Sequence, residues 1–123
     1  MTNREEDEAR EHRIATEAVV DAYDAEEQAM GWYSYLDDTL TFPFKARCIQ
    51  ERSLSPLRTG EEIVVDSLAQ ADDCLHEMFV LTTWQGRSLG LPLAQLDAIE
   101  ADEGTLEAVE DWHYWVERGY SFG

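Results

Sequence analysis

Positive charge is scarce in this chain. Nine Lys and Arg residues, of which only Lys45 is a lysine, stand against 27 Asp and Glu, for a net charge of -18 on 123 residues. Such a field repels phosphate backbones and anionic lipid, so neither nucleic acid nor a membrane is an expected partner. Long apolar runs are missing as well: nothing approaches the roughly 18 residues of a membrane span, and the first twelve residues, MTNREEDEAREH, are charged where a signal peptide would be apolar. A cytoplasmic location is expected, and with it reduced thiols at Cys48 and Cys74 rather than a disulfide. Catalytic signatures are also wanting. There is no G-x-S-x-G, Walker loop, dinucleotide fingerprint or H-E-x-x-H, and the acidic pair Asp72-Asp73 falls in a turn with no apolar pocket to raise a carboxyl pKa, so no enzyme activity is expected. Cys74, His76 and Glu77 have no second ligand pair at zinc spacing, and His113, inside Trp112-His113-Tyr114-Trp115, reads as a packed helix residue.

What is present is apolar material for a core, 44% of residues with 11% aromatic, on a length that suits one domain spanning residues 1–123. The acids gather at the two ends: residues 1–38 hold 12 acids and 3 bases, residues 39–96 hold 7 and 5, and residues 97–123 hold 8 and 1. A carboxylate-rich surface that keeps a protein soluble in concentrated salt would account for the total, though not for this placement.

From Glu5 to about Leu40 the apolar residues Ile14, Ala18, Ala22, Ala25, Ala29, Trp32, Leu36 and Leu40 recur three or four apart, which predicts a helical segment over 1–40, one long N-terminal helix or two abutting ones, with a bend expected at Gly31. Residues 44–99 break into short β-branched and aromatic segments, FKARCIQER, EEIVVDSLA, EMFVLTTW and RSLGLPL, parted by turn sequences. Their order, with a hairpin at Gln85-Gly86-Arg87 and a short LPLAQL turn before a last strand, predicts a small SH3-like β-barrel. Helical spacing returns over 102–118 with Asp102 as N-cap and Gly119 as stop. The expected fold class is therefore α+β, a small barrel flanked by N- and C-terminal helices.

Asp37 and Asp38 stand at the end of the first helical stretch, where the helix's partial negative charge makes carboxylates unfavourable and where Lys or Arg would ordinarily be placed. A hard divalent cation reverses that cost, because Ca2+ takes about 6–8 oxygens from carboxylates, backbone carbonyls and water. The EF-hand pattern D-x-[DN]-x-[DN]-G is absent, and its nearest approach, Glu100, Asp102 and Gly104, has its glycine one position early. Glu26 and Glu27 are further candidate ligands, although on a straight helix they lie about 15 Å from Asp37 and would need a bend or a second site. Asp102 and Glu103 complete the candidate set, with helix capping as their competing role.

The block GWYSYLDDTLTFPF, residues 31–44, within DAYDAEEQAMGWYSYLDDTLTFPFKARC at 21–48, and SPLRTGEEIVV, HEMFVLTTW, LPLAQL and DWHYW downstream, resemble the small calcium-binding proteins of the CcbP type. The likeness runs from Val19 to Tyr120. It implies a calcium-binding protein without EF-hands that buffers or senses cytosolic free Ca2+, with an acidic pair after the GWY block in the binding surface, which in this chain is Asp37 and Asp38. A second reading from the residues alone is an acidic interaction module that docks a basic protein partner through its carboxylates and exposed aromatics such as Tyr23 and Tyr35, with cation binding incidental.

Overall fold

The computed structural model describes residues 7–120 and 122. Helix α1, Glu8–Arg13, is capped by Asp7, whose carboxylate accepts the Arg10 N–H at 3.0 Å, and runs on as a π-helical turn over Ile14–Ala18. Residues 19–24 leave helical geometry, with Asp21 at φ 55°, before α2, Ala25–Thr39. Asp24 and Glu27 start α2 with a reciprocal capping box: the Asp24 carboxylate accepts the Glu27 N–H at 2.8 Å and the Glu27 carboxylate accepts the Asp24 N–H at 3.3 Å. Of one long helix or two, the described residues form two, and the break falls at 19–24 rather than at Gly31; residues 1–6 of the expected helical stretch lie outside the described residues. Gly31 lies inside α2 for a different reason: a β-carbon there would sit 2.0 Å from the Ala18 carbonyl oxygen, so the absent side chain is what lets the π-helical turn lie against α2.

Five strands follow: β1 Phe44–Cys48, β2 Glu62–Leu68, β3 Phe79–Trp84, β4 Arg87–Pro92 and β5 Leu96–Glu100. They form one antiparallel sheet in the order β4-β3-β2-β1-β5, with Ala46 opposite Ile63 and Ala98, and Val80 opposite Leu91. The expected strands are all found. The expected closed SH3-like barrel is not: β4 and β5 are the two edges of an open sheet, joined by a 3-10 turn, Leu93–Gln95, rather than by a ladder. The β3–β4 hairpin turns on Gln85 and Gly86 at φ 52° and 79°, the paired positive values that match a tight turn to the strand twist. Helix α3, Glu103–Glu117, then packs back on β5 and α2, and Gly119 at φ 84° ends it.

Trp32, fully buried on α2, is the centre of the helical core: its ring meets Trp112 at 5.0 Å, Trp115 at 5.6 Å and Tyr35 at 5.8 Å, each edge to face, the arrangement the ring quadrupoles favour. Beside it lies a buried charge. The Asp111 side chain, 0% exposed, accepts from Arg10 Nη1 at 2.6 Å and Arg13 Nη2 at 2.7 Å on Oδ1, and from Arg13 Nε at 2.9 Å and Tyr35 Oη at 2.6 Å on Oδ2. One carboxylate therefore joins α1, α2 and α3. Helix α1 has no buried residue, so these bonds, with Tyr114 and Tyr120 hydroxyls donating to Glu11 at 2.7 and 2.9 Å, hold it in place.

Two substitutions test this packing. If Gly31 marked a bend, Gly31→Ala would stabilise the helix by about 1 kcal/mol; the close approach to Ala18 predicts instead a loss of about 1–3 kcal/mol in urea unfolding. Asp111→Asn leaves two guanidinium groups facing a neutral amide and is expected to cost about 3–5 kcal/mol, with hydrogen exchange showing the α1 amides losing protection first.

Candidate metal site

Leu36 and Leu40, 0% and 6% exposed, point into the core, so helical geometry turns the residues between them, Asp37 and Asp38, to solvent. The last turn of α2 has no basic residue. The Leu40 N–H closes the helix on the Leu36 carbonyl at 2.8 Å, and the next N–H, that of Thr41, turns away from the ladder to donate to Thr105 Oγ1 at 2.8 Å. One turn before Asp37, Tyr33 donates its hydroxyl to the Ala69 carbonyl at 2.6 Å; burial, then the charges at Cys74 and Asp37, push its phenol pKa up. That places Asp37 on the flank of α2 that meets the 3-10 turn Ala71–Cys74.

The end of α2 meets the start of α3. A β-carbon on Gly104 would lie 3.8 Å from the Thr39 carbonyl oxygen, and Asp102 Oδ1 accepts the Thr105 N–H at 2.8 Å. Hydrogen bonds from the Thr41 side chain and from Thr105 hold the Asp102 carboxyl below the usual carboxylate range. Asp102 thus ties the first residues after α2 to the first turn of α3, and the negative end of one helix dipole faces the positive end of the other. Four of the predicted ligands, Asp37, Asp38, Asp102 and Glu103, belong to the two helix ends at this junction, and all four are exposed. Glu26 and Glu27 are not with them. With α2 continuous they lie about 16 Å away along its axis, and Glu27 also accepts the Tyr23 N–H at 3.0 Å as part of its cap. Among the described residues no three His, Cys, Asp or Glu side chains are preassembled to hold a metal ion.

Two residues are placed otherwise than their sequence suggests. Tyr35, expected at the surface, is 8% exposed; burial and its bond to Asp111 push its phenol pKa well above the ordinary value. Asp111 was not singled out by its sequence context, although it falls on the α3 face that also carries Ala108 and Trp115, where a charge is out of place unless paired. His113 is packed as expected, 6% exposed, with Nε2 on the Leu96 carbonyl, and both cysteines are buried free thiols. No described helix is long and apolar enough to cross a membrane.

Comparison with known proteins adds three findings. A family model for CcbP proteins, described as calcium binding, matches residues 12–116. The crystal structure of CcbP from Anabaena matches at 44% identity and a TM-score of 0.86, covering 99% of this chain and 100% of that one. A calcium-binding protein in its calcium-binding form matches at 44% identity and a TM-score of 0.81 with the same coverage. No curated protein sequence matches.

The capping role of Asp102 has a pH signature. A carboxyl held below its unfolded value contributes stability above about pH 4 and loses it as pH falls through the lowered folded value. Asp102→Ala should lower Tm at pH 7, and its difference from wild type should shrink towards pH 2, while Asp102→Asn, which still caps, should lose less at pH 7.

Proposed function

We propose that this chain, which belongs to the CcbP calcium-binding family, binds Ca2+ through Asp37 and Asp38 where α2 meets α3, and serves in the cytoplasm as a buffer of free calcium that uses no EF-hand. The observation that carries the reading is the acidic pair, turned outward by Leu36 and Leu40, at a helix end with no basic residue to offset it. The donor chemistry fits a hard cation: two carboxylates and the carbonyls of a helix end are all oxygen, and with no third side chain preassembled an ion there would complete its shell of about 6–8 ligands with water. Asp102 and Glu103 border this site and add to its field. Glu26 and Glu27 would form a separate, weaker locus, one turn of helix from Asp24.

What lies beneath the pair supports buffering over sensing. A sensor needs an element with two packings of similar free energy. Here Tyr35 is fastened to Asp111, and Leu36 and Leu40 are in the core, so the apolar face of the helix that carries the ligands is already committed. The reading of a module for basic partners has one observation in its favour, Tyr23, 83% exposed beside Asp24 and the Glu26-Glu27 pair.

Asp37→Asn with Asp38→Asn, compared with Glu5→Gln with Glu6→Gln, removes the same two charges from different places. By calorimetry at physiological potassium the first pair is expected to lose at least about tenfold in Ca2+ affinity, about 1.4 kcal/mol, and the second little. The calcium-free form of the first variant should be no less stable than wild type, since carboxylates at a helix C-terminus are unfavourable without an ion. Equal losses of affinity would leave only a diffuse acidic surface.

A further inference from the structure

Away from the helix junction, a cavity of about 160 Å³ opens between the last turns of α3, the chain after it and the segment before β3. Four aromatic rings line it in two tilted stacks, Trp112 with Phe122 at 5.9 Å and Trp115 with Tyr120 at 4.8 Å, and Trp32 props both tryptophans from behind. His76, Val116 and Glu77 complete the wall, the Glu77 carboxylate being ion-paired with Arg52 through two bonds at 2.8 and 3.2 Å. The cavity is near the ~150 Å³ that accommodates a benzene molecule, so it takes one compact group and not a peptide chain. Its polarity indicates which group. Ring faces are electron-rich and attract cations that are large and weakly hydrated, and although the Glu77 charge is shared with Arg52, residues 97–123 carry eight acids and one base in a chain of net charge -18. The fold already places one cation near a ring here, with the Arg118 guanidinium carbon 6.0 Å from the Tyr120 centroid.

We propose that this pocket, framed by Trp112, Trp115, Tyr120, Phe122 and Glu77, binds a quaternary methylammonium group. Such a group is carried by small molecules such as choline and by trimethylated lysine side chains, and the pocket requires only the chemistry they share. Methylation spreads the charge and sheds hydration, which favours ring contact over water; an unmethylated ammonium keeps its shell and stays outside.

The test is a titration of the full-length protein, followed by tryptophan fluorescence and calorimetry at constant ionic strength, with choline, with its neutral isostere in which carbon replaces nitrogen, and with a trimethyl-lysine peptide beside the unmodified one. Saturable binding of choline or the trimethylated peptide, at least about tenfold tighter than the neutral or unmethylated counterpart, is expected. A preference between choline and the peptide identifies the source of the group. Tyr120→Leu, at a position 38% exposed, should weaken binding several-fold whereas Tyr120→Phe, which keeps the ring and loses the hydroxyl's bond to Glu11, should not, and Glu77→Gln, which leaves Arg52 without its partner at the rim, should weaken binding several-fold with Ca2+ affinity unchanged. Equal binding of choline and its neutral isostere would show a merely apolar pocket, equal binding of methylated and unmethylated lysine would show only the acidic field, and absence of binding would overturn the proposal outright.

Discussion

Two guanidinium groups and a phenol converge on the two oxygens of Asp111, and the disposition of all three helices follows from that contact. A carboxylate out of water is costly unless paired and fully hydrogen-bonded. Here the cost is met from α1, which contributes both arginines and almost no apolar surface, and from α2, which contributes Tyr35. The consequence reaches the acidic pair. Tyr35 is two residues before Asp37, so fastening it sets the rotation of α2 and therefore which residues of its last turn face water. The aromatic cluster around Trp32, which touches the Tyr35 ring, reinforces the same rotation from the same buried face of the helix.

With that rotation fixed, the last turn of α2 presents its acidic pair to solvent. Repulsion between exposed neighbouring carboxylates is only about 1 kcal/mol at 4 Å in water, small enough for the fold to tolerate without an ion and sufficient to favour one. The opposed ends of α2 and α3 divide the work. Asp102 is committed to the hydrogen bonds that hold the junction closed, whereas Asp37 and Asp38 have been left to solvent. Ligands on a helix end rather than a flexible loop would separate the proposed site from an EF-hand, whose twelve-residue loop wraps the ion.

Much of this was legible in the sequence, and the parts that were not have physical causes. The strands, the span of α3, its Asp102 cap and the outward pair Asp37-Asp38 follow from local periodicity and capping chemistry. The break at residues 19–24 did not, because Ala18, Ala22 and Ala25 continue the helical stripe through a segment that leaves the helix; the D-x-x-E box at Asp24 and Glu27 was the available signal. Gly31 was misread because a close approach between two helices is a non-local fact that resembles a weak point in one helix. Closure of the sheet into a barrel depends on whether its two edges pair, which no single strand encodes. Asp111, Arg10 and Arg13 lie about a hundred residues apart, and only the contact itself shows that an arginine pair in an acidic N-terminal stretch answers a charge on the core face of α3.

The account is tested most directly by a nuclear magnetic resonance titration of the 15N-labelled protein with Ca2+ at physiological potassium. Amide shifts that saturate together and centre on residues 36–41 and 102–105, with the Tyr35 and Asp111 environment unchanged, are the predicted result. Shifts centred on residues 24–27, or small non-saturating shifts spread over all the acidic segments, would contradict a defined calcium site at the α2–α3 junction.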